Sequence, residues 1–184
     1  MLQQSRPFVF SAPNGILSGR ERGVELLDEL MEHMREADPQ GVTPLDFSGI
    51  EFIDISCADE FLIKLLMRIG SGELGNRYVY ICGANVSVRE TLEAVLQLRN
   101  LAALAKDREA VEVLGVLKTP IREALDVLLQ EKQGTSSELA KALGKNVNIA
   151  CNRLNALQRM GLVCRVRDAS VAGGGRQFFY ESIV

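Results

Sequence analysis

Residues 136–166 read SSELAKALGKNVNIACNRLNALQRMGLVCRV. Thr135 and Glu138 have the spacing of a capping box, in which two side chains satisfy backbone N–H groups at a helix start. A helix therefore opens here, with Leu139, Ala142 and Leu143 on its apolar side, and Gly144 breaks it. A second helix follows from about Val147 to Met160, with Ala150, Leu154 and Leu157 turned inward, and Gly161 ends it. From Leu162 to Arg167 apolar and polar residues alternate as in a strand.

Upstream, Lys118-Thr119-Pro120 marks a boundary: Thr119 caps a helix and Pro120 takes its first position, where a missing N–H costs nothing. Ile121, Ala124, Leu125, Leu128 and Leu129 form its buried stripe, and Gly134 stops it. Downstream, Gly173-Gly174-Gly175 reads as a hairpin tip and Gln177 to Tyr180 as the return strand. Three helices and then a β-hairpin is the order of a winged helix-turn-helix. The quoted stretch resembles the MarR-type and related bacterial winged-helix families, over roughly residues 119–182. Its most telling part is Leu154, Leu157, Gly161, Leu162 and Val163, all scaffold positions, so the likeness bears on fold more than on function.

The resemblance implies that the third helix enters a major groove with its N-terminal residues at base edges. Its outward positions are Asn148, Cys151, Asn152, Arg153 and Asn155. Asparagine pairs bidentately with adenine and arginine with guanine. Ser136, Ser137, Lys145 and Asn146 stand at helix starts, where phosphates are held. The wing carries Arg165, Arg167 and Arg176, the last beside the three glycines and suited to a minor groove.

The first part of the chain alternates strands with helices. Phe8-Val9-Phe10 reads as a strand closed by a turn at Pro13-Asn14-Gly15, and Ser18 with Glu21 as a capping box for a helix over Val24, Leu27, Met31 and Met34. Leu45 to Asp54 reads as a strand bent at Gly49. A helix from Cys57 to Ile69 is apolar on two faces, which suits an interface. Arg77 to Cys82 is β-rich, Ser87 and Glu90 make another capping box, Leu101 to Leu104 reads as an edge strand, and Asp107 caps a last helix containing Ala110, Val111 and Leu114. The order β-α-β-α-β-α, with a further β-α, implies βαβ crossovers and a partly parallel sheet.

Within it, LDFSGIEFIDISCADEFLIKLL (residues 45–66) resembles the STAS fold of anti-sigma factor antagonists, with LRNLAALAKDREAVEVL like the end of such a domain; the likeness spans roughly residues 5–116. In those antagonists an Asp-Ser-Ser/Thr-Gly sequence starts the helix, the serine right after the Asp is phosphorylated by a partner kinase, and the added charge repels or reorganises the partner surface. Here Asp54 matches the Asp, Ile55 stands at the phosphoacceptor position, Ser56 matches the second hydroxyl and Cys57 replaces a glycine. Ser56, with Asp59 three residues on, reads more simply as a helix N-cap. The expected fold is thus α/β, a STAS-like mixed sheet with helices in residues 1–117, followed by a small α+β winged helix-turn-helix domain in residues 118–184.

Charge divides at the same place. Residues 1–118 hold 12 basic and 18 acidic side chains, net −6, whereas residues 119–184 hold 9 and 6, net +3, so only the second part suits a polyanion. The four cysteines, at 57, 82, 151 and 164, lack the paired short spacing of a zinc site and read as free buried thiols. No catalytic Ser/His/Asp or Cys/His set emerges; His33, the single histidine, lies among acidic residues and reads as solvated. Gly70-Ser71-Gly72 lacks the lysine and spacing of a phosphate-binding P-loop. No apolar run reaches the roughly 18 residues of a membrane span, and the first residues lack the pattern of a signal peptide.

The expectation is a cytoplasmic, non-enzymatic transcription regulator without metal or cofactor. It binds double-stranded DNA as a homodimer, and its STAS-like domain senses, docks a protein partner or dimerises. The alternative is a partner-switching adaptor in which both domains bind proteins.

Overall fold

The computed structural model describes residues 3–37, 40–108, 110–167 and 178–184. In chain order, β1 (Gln3–Gln4) and β2 (Phe8–Val9) lead through a tight turn at Pro13–Gly15 to β3 (Ile16–Leu17) and α1 (Arg20–Glu36). Then come β4 (Gln40–Asp46), β5 (Phe52–Ile53) and one continuous helix, α2 (Ile55–Ala58) to α3 (Lys64–Gly70), joined by a π-helical stretch at Asp59–Ile63. β6 (Asn76–Cys82), α4 (Val86–Leu98), β7 (Ala102–Asp107) and β8 (Ala110–Gly115) follow. After residues 116–118 the chain forms α5 (Thr119–Glu131), β9 (Gln133–Thr135), α6 (Ser136–Leu143), α7 (Val147–Arg159), β10 (Val163–Arg167) and β11 (Phe178–Ser182).

The architecture is mixed α/β. The main sheet has the order β1-β4-β6-β7-β8, with β2 also on β4; β4, β6 and β7 run parallel and β8 returns antiparallel to β7. A small antiparallel sheet, β10-β11-β9, closes the C-terminal part, and β3 pairs with β5 alone.

Side chains alternate across a strand, and both faces of this sheet are used. Leu45, Val79, Ile81, Ala103 and Leu114 join one core with the buried sides of α1, α2–α3 and α4. Val42, Tyr78, Tyr80, Ala102 and Leu104, on the other face, join a second core with Leu125, Leu128, Leu154, Leu157 and Tyr180. The segment after residue 118 is therefore not a separate body on a tether: its core is completed by the sheet. Burying a large apolar side chain contributes about 1.5–3 kcal/mol, so the second face holds a substantial part of the stability.

Several local expectations are corrected. The helix at 57–69 buries its first face, with Phe61, Leu62, Leu65 and Ile69 inside the chain between α1, α4 and the end of α7, and its second face is divided: Ile63 is buried as well and Met67 is 61% exposed. Residues 45–54 are two strands rather than one bent one, because Phe47 to Glu51 turn away and β5 finds β3 instead of the main sheet. Leu101–Leu104 belongs to an interior strand, covered by β8. Residues 110–115 are that strand, not a helix: Arg108 takes a left-handed turn conformation (φ 53°), and Val111 and Val113 face the second core while Leu114 faces the first.

The expected caps shift as well. α4 is capped by Asn85, whose Oδ1 accepts from the Val88 N–H at 2.9 Å, rather than by Ser87. α5 starts at Thr119 with Lys118 as its cap residue and Pro120 in its first turn, and it stops at Lys132 (φ 68°), before Gly134, which lies in β9. The Thr135–Glu138 capping box forms as expected, and Gly144 adopts the left-handed conformation (φ 61°) that ends α6. All four thiols are free, Cys57 and Cys164 buried and Cys82 and Cys151 half-buried; burial pushes those of Cys57, Cys82 and Cys164 up to about 11. His33 is half-buried, its Nε2 2.9 Å from the Arg6 carbonyl and its ring edge-on to Phe8, so it is not simply solvated.

Candidate nucleic-acid interface

The α6–α7 pair is built by local rules. In the capping box the Thr135 hydroxyl accepts from the Glu138 N–H at 3.2 Å, and the Glu138 carboxylate accepts from the Thr135 N–H at 2.7 Å. Backbone and side-chain hydrogen bonds from Thr135 hold that carboxyl below its usual range. Ser136 and Ser137 stand at the same helix start, half-buried and exposed respectively. After Gly144, Lys145 is exposed, and Asn146 caps α7 by accepting from the Ile149 N–H at 2.9 Å. The Asn146 side-chain oxygen is thus committed to the helix, leaving its amide NH2 for any phosphate.

α7 presents three different sides. Ala150, Leu154 and Leu157 are fully buried in the second core. Asn148 and Asn152, one turn apart, are exposed and share a face. The remaining expected outward positions are turned inward. Asn155 accepts from the Tyr180 hydroxyl at 3.1 Å and donates to the Cys151 sulfur at 3.6 Å, so both residues face β11. Arg153 donates from Nη1 to Glu123 Oε2 on α5 at 2.9 Å with its side chain 11% exposed, so it braces two helices instead of projecting from one.

Arg165 projects from β10 with its guanidinium 4.4 Å from the centre of the Phe178 ring, a cation–π arrangement that fixes its direction. It points toward Tyr78 and the C-terminal turn of α7 rather than along the Asn148–Asn152 face, and lines two cavities there. Arg167 lies in β10 opposite Phe178, and nothing beyond its backbone is described. Arg176 lies outside the described residues.

The second expected locus is the start of α2. Asp54, not Ser56, is the N-cap: its Oδ1 accepts from the Cys57 N–H at 2.7 Å. Its other oxygen accepts from the Ser18 hydroxyl at 2.5 Å and the Gly19 N–H at 2.8 Å. Ser18 therefore serves Asp54 and does not cap its own helix with Glu21. Burial alone would raise the Asp54 carboxyl, but these hydrogen bonds outweigh it and hold the group below its usual range. Ser56 sits inside the first turn, half-buried, and Ile55 beside it is 50% exposed. Ile16 and Phe52, paired across β3 and β5, are likewise open to solvent.

What sequence reading missed is β9 and the junction between α7 and the sheet. Its members, Arg159, Tyr78 and the turn at 70–75, are each unremarkable locally, and only the packing of the second core brings them together.

Neither a scan against protein-family models nor a search of the curated proteins gives a match to this chain. Among the described residues, no helix is long and apolar enough to cross a membrane, and no group of three or more His, Cys, Asp or Glu is placed to hold a metal ion.

Proposed function

We propose that residues 118–184 form a winged helix-turn-helix that binds double-stranded DNA, and that residues 1–117 form a STAS-like regulatory domain packed on its back. The observation that carries this reading is the exposed Asn148–Asn152 face of α7, presented beside Lys145 by a glycine-linked helix pair whose opposite side is fully buried. Two amide side chains one turn apart at the N-terminal half of a solvent-facing helix suit the edges of adenines. The basic balance of residues 119–184 supports the same reading. Two copies of the chain would double the phosphate contacts that a net charge of +3 supplies, which is why a homodimer is the form proposed.

The experiment is fluorescence anisotropy of the full chain with duplex DNA from upstream of its own gene, at low and moderate salt. Each bidentate asparagine contact is worth about 1–3 kcal/mol of base discrimination. Asn148→Ala and Asn152→Ala should each weaken binding to the preferred sequence about tenfold or more and leave binding to unrelated duplex nearly unchanged. Equal loss on every sequence, or no loss, would remove the base-reading role from this face.

One observation favours a partner-switching adaptor instead. Ile16, Phe52 and Ile55, at 49%, 44% and 50% exposure, surround the Asp54 turn with apolar surface in the part of the chain that carries the negative charge. A folded chain that binds no DNA at low salt, yet forms a stable complex that Ile55→Glu abolishes, would establish that reading.

A further inference from the structure

We infer that the junction between the turn at residues 70–75 and the C-terminal end of α7 is a binding site for a small phosphate-bearing molecule. A cavity of about 390 Å3 lies there, lined by Ser71, Asn76, Tyr78, Gln158, Arg159 and Arg165 among others. A second cavity of about 320 Å3 shares Asn76, Tyr78, Gln158 and Arg165 with it and extends to Phe178 and Val166. Together they fall within the size range of small-molecule sites.

Charge is the distinguishing feature. Two guanidinium groups line the first cavity, and among the described residues no carboxylate lines either one. Among the described residues, neither Arg159 nor Arg165 is in an ion pair, which they share with Arg6, Arg35, Arg77 and Arg108, whereas Arg20, Arg22, Arg89, Arg99, Arg122 and Arg153 each are; of the unpaired arginines, Arg159 and Arg165 alone line this cavity. Other cavities of the molecule mix signs: the one at Asp54 has Arg20 and Arg22 beside Glu21 and Glu25, and the one near Tyr80 has Lys106 and Lys132 beside Glu131 and Glu181. In a chain of net charge −3, two arginines that line a cavity with no acid among its described residues suit an oxyanion.

The geometry is preset at Arg165, which is oriented by the Phe178 ring beneath it. At Arg159 the backbone is held by close packing of the turn on α7, where a Cβ on Gly70 would come within 3.0 Å of the Arg159 carbonyl, and the side chain is exposed at the cavity rim. The N–H groups of Ser71, Gly72 and Gly75 are already bonded within the turn, to Met67, Ile69 and Gly72 carbonyls. The donors to the ligand are thus the two guanidiniums and the Asn76 and Gln158 amides, unlike a backbone phosphate loop. The apolar walls at Phe178 and Val166 are where an organic remainder would lie. Because the site joins the first part of the chain to α7 and β10, a bound phosphate ester clamps the two together, independently of whether the exposed face of α7 meets DNA.

The test is isothermal titration calorimetry and thermal denaturation of the full chain with inorganic phosphate, adenosine monophosphate and, as the uncharged control, adenosine, at matched ionic strength. The expected result is saturable binding of at least one phosphate-bearing probe at millimolar concentration or below, a raised Tm, and no response to adenosine. Arg159→Gln and Arg165→Gln should each weaken that binding about tenfold; the Arg159 side chain is exposed, so its variant keeps the fold, checked by circular dichroism. Absence of saturable binding by both phosphate-bearing probes overturns the inference, as does binding unchanged in both variants. A third result, loss of duplex DNA affinity in Arg159→Gln with no small-molecule binding, also overturns it and assigns the arginines to nucleic acid.

Discussion

The Asp54 carboxylate accepts the Gly19 N–H at 2.8 Å across 35 residues of sequence while it caps its own helix through Cys57, so one side chain fastens the starts of α1 and α2 together. An N-cap is worth about 1 kcal/mol and sometimes 2. Asp54→Ala should lower stability in urea by about 2 kcal/mol at neutral pH, since caps at two helix starts are lost. The folded carboxyl is held below its ordinary value, so its contribution is present above the unfolded aspartate value of about 3.9 and is lost as the pH falls through the lower folded value. The gap between wild type and variant should therefore narrow in acid. A gap that widens there would contradict the capping role.

Gly23 lies where α1 crosses α2. Glycine to alanine within a helix ordinarily gains about 0.5–1 kcal/mol. A Cβ here would stand 2.6 Å from the Cys57 carbonyl oxygen and 2.7 Å from the Glu60 Cβ, so the helices must separate. Overpacking of this kind costs about 1–3 kcal/mol, and Gly23→Ala should lower Tm. A rise in Tm would show that the crossing yields easily.

The second core contains Leu104 from the sheet and Leu125, Leu154 and Leu157 from beyond residue 118. A chain whose two parts share a core unfolds as one unit. Calorimetry should record a single transition, and Leu104→Ala, at a fully buried position, should shift the whole of it by about 2–5 kcal/mol. Two resolved transitions, only one of them moved, would mean that the parts fold separately.

Arg153, 11% exposed, is held on Glu123, which is itself half exposed. A pair with one largely buried partner is worth more than a surface ion pair, whose contribution is about 1 kcal/mol or less, so Glu123→Ala should lower stability by about 1 kcal/mol or more while releasing the guanidinium from α5 to turn toward the proposed DNA face. Affinity for duplex DNA should rise, and the log–log salt dependence should steepen by about one phosphate contact. Anisotropy titrations over a salt series measure both. Weaker binding in the variant would place Arg153 in the scaffold alone.

What the amino-acid sequence determined by itself are the features set within one or two turns of chain. The Thr135–Glu138 box, the left-handed Gly144, the buried Ala150–Leu154–Leu157 stripe and the strand at 76–82 depend on neighbours three or four residues away or on simple alternation, and all are legible. The sequence also shows where the charge changes sign. Only the tertiary structure decided the rest. Residues 110–115 become a strand because β7 offers an open edge, which no local period reports. Asp54 takes the capping role expected of Ser56 and Ser18 because β3 brings Gly19 beside it. Arg153 and Asn155 leave the outward face of α7 because Glu123 and Tyr180 stand within reach. The cavity at Arg159 and Arg165 exists only because the sheet buries its second face on the C-terminal helices. Local hydrogen bonding and periodicity are written in adjacent residues, whereas partners distant in the chain are chosen by which apolar faces must cover one another.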